Sequence, residues 1–341
     1  MNSIKKILLV GAFSPDPSIY TYAQSFVSAL SLLGFHVMPF NYRKKASWWG
    51  TLNAWWCNNA LIRAVTTYKP DLVFIIKGEL LTPETLCCIK QICGSRLINF
   101  YPDNPFVVWN GNSNEHVLAS LPIYDCWLSW SKMLEPVLIS AGCKHVCYFP
   151  FAYDETLFNK SLSITNNDYA QYASDVCFVG TWEPEREAWL NDLITCMPSI
   201  SLAVWGNDWA TKCHNAAIKK ILRGSAIYGD SMIKAFRLSK IVLNFIRVQN
   251  LAAHNMRTLE VPASGAFLLT QRTQDQAETL FKEGESIACF ADSKELVNKI
   301  DFYLHNANER IRIANNGFAR AGMFTLTKQL QQYFNQCCLY L

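Results

Sequence analysis

The sequence predicts an α/β protein built on parallel sheets, and three observations carry that expectation. Short apolar runs recur along the chain, each followed by a turn and then by a segment of helical periodicity. At 341 residues the chain is long for one domain and sufficient for two. Half of it is hydrophobic and 17% is charged, which describes a globular protein with a generous core rather than a disordered one.

The elements follow in order. Residues 7–10 form an apolar run, Gly11 opens a turn, and 20–33 has helical periodicity. Gly34 ends that helix, and 35–40 resumes as strand, giving the strand–helix–strand unit that starts a parallel sheet. Pro70-Asp71 introduces a buried strand at 72–76, a helix follows Pro83, and 97–101 is the next strand. Strands at 126–129 and 145–149 flank a helix over 132–140. Residues 150–159 and the polar tract 161–169 read as a linker. The pattern restarts with a strand at 175–179 and a helix at 185–195. Further strands are expected at 201–205, around Ile227 and at 241–245. The strand pair 266–269 and 287–290 precedes helices at 293–305 and 307–319, and 325–340 is an amphipathic helix. The expected domains are 1–155 and 156–322, with 323–341 returning to the first.

Composition narrows the setting. The formal net charge of +4 is mild and does not by itself argue for nucleic acid. Thirteen cysteines are odd in number and scattered, with adjacent pairs at Cys87-Cys88 and Cys337-Cys338, unlike a disulfide framework. Cys143, His145 and Cys147 form the only metal-like spacing, and at the entrance of a strand it reads as giving buried thiols. No metal or resident cofactor is expected. No apolar run is long enough to span a membrane, and the run after Lys5-Lys6 is too short for a signal peptide. The expected location is the cytoplasm, including the inner face of a membrane.

The most specific stretch runs from Asn255 to Thr270. Arg257 and Glu260 are three apart and share a helix face, and Gly265 lets the chain leave that helix for a buried strand. A carboxylate beside a cation at a helix start suits a ligand with a ribose diol and a diphosphate. An ordinary surface pair has the same spacing.

These residues, with Gly180, Arg186, the run Phe281-Lys-Glu-Gly284-Glu285, Glu295-Leu296, Tyr303-Leu304-His-Asn306 and Arg310 to Gly317, resemble the CgeB-like glycosyltransferases. That family is related to a large retaining group. The resemblance implies the GT-B fold, two Rossmann-like domains with parallel sheets facing a central cleft. It also implies a nucleoside diphosphate sugar as donor and no required metal. Glu260 matches the ribose-binding carboxylate, whereas the partner Glu of the broader group falls at Ala252. Asn255 and Arg257 are candidates to occupy some of that space instead, and His254, next to them, is a candidate to assist the chemistry. Gly180 and Arg186 occupy the strand end where the family brings a basic residue to the diphosphate.

Other candidates lie at strand ends. Gly11 and Gly206 offer backbone N–H groups to a ligand, and Trp209 is a ring for a base or for the core. In Tyr101-Pro-Asp103-Asn104, Asp103 is a candidate base for an acceptor hydroxyl or a turn cap. Lys77 ends the preceding strand. Tyr42 to Trp56 sets Arg43, Lys44 and Lys45 before Trp48, Trp49, Trp55 and Trp56. Trp48 and Trp49 are acceptor-side candidates, and the same composition suits a membrane surface, single-stranded nucleic acid or a core helix.

The leading expectation is transfer of a sugar to an acceptor hydroxyl on a glycan, lipid, protein or nucleic acid. A nucleotide-sugar epimerase or hydrolase of the same fold, and a non-catalytic binding protein, are the alternatives.

Overall fold

The strand Leu72–Ile76 reads Leu-Val-Phe-Ile-Ile and is buried throughout, as a strand inside a parallel sheet covered by helices must be. The computed structural model describes residues 4–16, 19–43, 50–108 and 112–337, and every strand pairing among them is parallel.

The chain divides into two units. The first comprises Met1–Asp154, Val248–Ala253 and Leu326–Leu341; the second comprises Glu155–Arg247 and His254–Thr325. The first unit runs β1 Lys6–Gly11, α1 Tyr22–Leu32, β2 His36–Asn41, α2 Gly50–Tyr68, β3 Leu72–Ile76 and α3 Pro83–Cys93. It continues with β4 Arg96–Phe100, α4 Glu115–Ser120, β5 Cys126–Ser129, α5 Glu135–Ser140 and β6 Val146–Tyr148. Its sheet has the order β2-β1-β3-β4-β5-β6.

The second unit begins with α6 Glu155–Phe158, α7 Asn166–Tyr172, β7 Ser174–Val179, α8 Pro184–Cys196 and β8 Leu202–Trp205. It goes on through α9 Trp209–Lys212, α10 Ala216–Ile221, β9 Leu222–Gly224, α11 Gly229–Leu238, β10 Ser239–Asn244 and α12 Arg257–Ala263. β11 Leu268–Gln271, a π-helical turn over Asp275–Leu280, β12 Ala288–Phe290, α13 Ser293–His305 and α14 Ala307–Ala321 complete it. The sheet order is β12-β11-β10-β7-β8-β9. Its core packs Val176, Phe178, Val204, Ile241, Leu243 and Leu269 against helix residues such as Leu190, Leu296 and Ile300.

The last helix, α15 Leu326–Cys337, lies in the first unit. The Leu326 N–H donates to the Tyr153 carbonyl at 2.9 Å, and the Phe334 and Phe35 rings meet at 4.9 Å. Among the described residues no helix is long and apolar enough to cross a membrane.

The α/β class and most elements stand where periodicity puts them, with two corrections. The strand expected around Ile227 is Leu222–Gly224; three residues at a sheet edge, with a register shift at Val204/Trp205, carry almost no periodic signal. The polar tract 161–169 is not all linker, because Thr165 and Asp168 form a capping box that starts α7. Lys44, Lys45, Trp48 and Trp49 lie outside the described residues.

Candidate functional site

In the second sheet the chain starts at the centre with β7, adds β8 and β9 on one side, and then adds β10, β11 and β12 on the other. β7 and β10 therefore flank the point where the strand order reverses. Connections leave toward opposite sides there, and the carboxyl ends of such strands border a ligand crevice in doubly wound sheets.

Three arginines converge at those ends. α8 opens with Pro184 in its first turn, so Arg186 is delivered close to the end of β7. Its side chain is buried, Nη1 donates to the Thr181 carbonyl at 2.7 Å, and its guanidinium lies 5.5 Å from the centre of the Phe178 ring. Glu183 is shared: Oε2 is 3.5 Å from Arg186 Nε, and Oε1 is 2.5 Å from Nε of Arg247, just beyond β10. Arg257, from the first turn of α12, donates Nε to the Val179 carbonyl at 3.4 Å and pairs through Nη1 with Glu260. Burial pushes the Arg186 guanidinium down to about 10; Glu183 opposes that, and the neighbouring Arg247 and Arg257 add to it. Arg186 stays cationic at neutral pH. The three guanidiniums stand among the Glu183, Glu185 and Glu260 carboxylates, and their planar forks can meet the oxygens of a multiply charged anion.

A buried polar network fixes this arrangement. Asn244 and Asn255 exchange amide hydrogen bonds at 3.0 and 2.9 Å, and Asn244 also donates to Thr270 Oγ1 at 3.1 Å. Thr258 and Thr270 both donate to Gln276 Oε1, at 2.7 and 3.0 Å. The segment before α12 is thereby tied to β10 and β11. Asn255 is engaged inside this network. His254 is fully buried with Nδ1 against the Asp275 carboxylate, so its ring presents no surface to a ligand. α12 ends in a Schellman motif: Gly265, at φ +82°, donates to the Pro262 carbonyl, and Ala266 donates to Val261. Gly265 thus terminates the helix that carries Arg257 and Glu260.

The other glycines are set by close approach. A Cβ on Gly206 would lie 1.9 Å from the Gly180 carbonyl oxygen, which also accepts from Trp209 Nε1 at 2.8 Å. A Cβ on Gly180 would meet the Phe178 ring. Trp209 is buried in the core, which removes it as a stacking surface.

The first sheet reverses between β1 and β3. Gly11 closes β1 where a Cβ would strike Ala23 of α1 at 2.5 Å. Lys77, after β3, has the left-handed φ of +65° and is followed by Gly78 at +80°. Its Nζ is 2.7 Å from Asp103 Oδ2, and Gln249 Nε2 donates to Asp103 Oδ1 at 3.3 Å. Asp103 is thus an ion-paired carboxylate rather than a turn cap. The ten cysteines whose side chains are described form no disulfide, and burial pushes the Cys143 thiol up to about 12. Among the described residues no group of three or more His, Cys, Asp or Glu side chains is arranged to hold a metal.

The structure brings together Gly180, Arg186, Arg257 and Glu260 in the second unit, and Lys77 with Asp103 in the first. Arg247, Glu183 and Gln249 are additions. Only Arg247 had a sequence signal, a cation just past the apolar run 241–245.

Residues 186–334 match a family model described as glycosyl transferase-like. No curated protein sequence matches the chain. Among solved structures, Anabaena HepE in complex with UDP and glucose aligns at 14% identity over 98% of this chain and all of that one, with a TM-score of 0.67. A sucrose-phosphate synthase from Thermosynechococcus elongatus aligns at 12% identity over 99% of this chain and all of that one, also at 0.67. A Listeria monocytogenes structure named as a UDP-N-acetylglucosamine 2-epimerase aligns at 10% identity over 99% of this chain and 97% of that one, at 0.60. Over nearly its whole length the chain has the GT-B fold of these structures, two units each built on a parallel sheet.

Proposed function

We propose that the chain transfers a hexosyl or related sugar from a nucleoside diphosphate sugar to an acceptor hydroxyl. The observation that carries this reading is the convergence of Arg186, Arg247 and Arg257 at the switch point of the second sheet. In transfer, the bond from the anomeric carbon to the diphosphate oxygen breaks and a bond to the acceptor oxygen forms. Negative charge grows on the departing diphosphate, and preformed cations stabilise it most at that moment. We assign that role to the three arginines, with no resident metal required, and the donor ribose to Glu260. UDP is the favoured carrier because a neighbour of the same fold was solved with UDP-glucose. Retention of anomeric configuration follows from the resemblance to the retaining group. The acceptor we assign to the first unit, with Asp103, held by Lys77, as the carboxylate that takes the hydroxyl proton.

Calorimetry with UDP, UDP-glucose, GDP and ADP tests the donor half. Wild type is expected to bind a uridine diphosphate selectively, and Arg247→Gln to weaken binding by about ten- to a hundredfold, the loss of one or two charge-assisted hydrogen bonds. Absence of binding to every nucleotide would overturn the reading. The epimerase neighbour makes a second assay decisive: donor consumed without any acceptor would move the assignment to epimerisation or hydrolysis.

A further inference from the structure

We infer that the outward face of α2 docks the first unit on an anionic lipid bilayer. Three observations carry this, none of which the donor site uses. First, Trp55 and Trp56 lie side by side on α2 with 58% and 48% of their surfaces exposed, an unusual cost for two of the largest apolar side chains. The helix is held firmly beneath them. Leu61 and Val65 are fully buried, and Asn58 donates to the Leu80 carbonyl at 2.9 Å while accepting from the Thr82 N–H at 3.1 Å. Among the described residues the two rings lie away from this packed side of the helix.

Second, the stretch of sequence that carries them has charge of one sign. From Pro17 to Pro70 the sequence contains no Asp or Glu, although the chain has 27 acidic residues in all. The same stretch carries Arg43, Lys44, Lys45, Arg63 and Lys69. Arg43 is committed to Glu79, but Arg63 is exposed and stands two helical turns from Trp56, on the same side of α2. A helix that carries Trp55, Trp56 and Arg63 and no acidic residue of its own complements an anionic interface, where indole rings settle at headgroup depth and a cation adds attraction.

Third, ring geometry selects the occupant. The Trp55 and Trp56 rings are edge to face, 83° apart with centroids at 5.0 Å. A single-stranded nucleic acid needs ring faces on which successive bases stack, and rings 83° apart do not offer parallel faces to two neighbouring bases. Indole rings settle at headgroup depth without needing parallel faces. Because no described helix can span a bilayer, the association is peripheral.

The test uses the full chain and sedimentation with vesicles of phosphatidylcholine, alone or with about one-third phosphatidylglycerol. Wild type is expected to bind the anionic vesicles, less so as salt is raised. Trp55→Ser/Trp56→Ser and Arg63→Glu are each expected to weaken that binding by about tenfold or more, with unchanged circular dichroism. Brominated lipids supply a second readout that needs no loss of fold: they quench wild-type emission strongly and that of Trp55→Phe/Trp56→Phe weakly. Equal vesicle binding by wild type and the serine variant would overturn the inference. So would equal binding to neutral vesicles, or displacement from anionic vesicles by a single-stranded oligonucleotide at stoichiometric amounts.

Discussion

Gly206 is fixed by backbone crowding, which sequence reading cannot distinguish from ligand approach. A glycine after a strand fits either demand, and here the Gly180 carbonyl occupies the place of any Cβ. Gly206→Ala is expected to cost about 1–3 kcal/mol, the usual range for overpacking, because the obstacle is backbone rather than a flexible side chain. Denaturant unfolding checks this; an unchanged midpoint would mean that the two loops do not approach so closely. His254 and Asn255 teach the same lesson. Their residue types suit catalysis, but the His254 ring is buried against Asp275 and the Asn255 amide is matched to Asn244. Arg257 and Glu260 were legible because three-residue spacing on a helix dictates that they meet. The position of Arg247 just past the apolar run 241–245 is legible, but its meeting with Glu183 is not, since that partner comes from a distant loop.

At the scale of elements, α7 shows how little sequence is needed to start a helix inside a polar tract. Thr165 Oγ1 accepts from the Asp168 N–H, and the Asp168 carboxylate returns bonds to Thr165, while Lys234 pairs with Asp168 at 2.8 Å. The bond from Lys234, then those from Thr165, hold the Asp168 carboxyl down at about 2, against an ordinary value of 3.8. A carboxyl with a lowered folded value lends stability that is present above the unfolded value and lost as pH falls through the folded one. The contribution of Asp168 is therefore present above about pH 4 and lost toward pH 2. Asp168→Asn is expected to be less stable at neutral pH and to have a flatter stability profile between pH 4 and 2. Acid titration followed by circular dichroism reads that difference; parallel profiles would remove Asp168 from the account. The helix 293–305 has the bounds its periodicity predicts, and the structure adds the cap, Asp292, whose side chain accepts from the Glu295 N–H. β9 was misplaced because a three-residue edge strand has no period to read.

For the molecule as a whole, the first unit depends on a distant piece of chain. Leu326, Leu330, Tyr333 and Phe334 of α15 are buried, and α15 packs on α1 with Tyr333 beside Phe149. Each such side chain is worth about 1.5–3 kcal/mol when buried, against about 5–15 kcal/mol for a typical domain. A chain ending at Thr325 is expected to lose most of the stability of its first unit while the second stays folded. Limited proteolysis with mass spectrometry checks it: cleavage should concentrate within 4–154 and spare 155–325. A protease-resistant first unit in the truncated chain would show that α15 is dispensable.

The sequence by itself determined the α/β class, the parallel strands, most helices and the Arg257–Glu260 pair. All of these rest on local periodicity, caps and short spacings. Tertiary structure alone decided which strands became the switch point and which distant cations met there. It also decided that Glu183 joins Arg186 to Arg247, and that Trp55 and Trp56 face outward while Trp209 is buried. Those outcomes depend on the order in which strands pair and on packing between residues far apart in the chain, which no local pattern encodes.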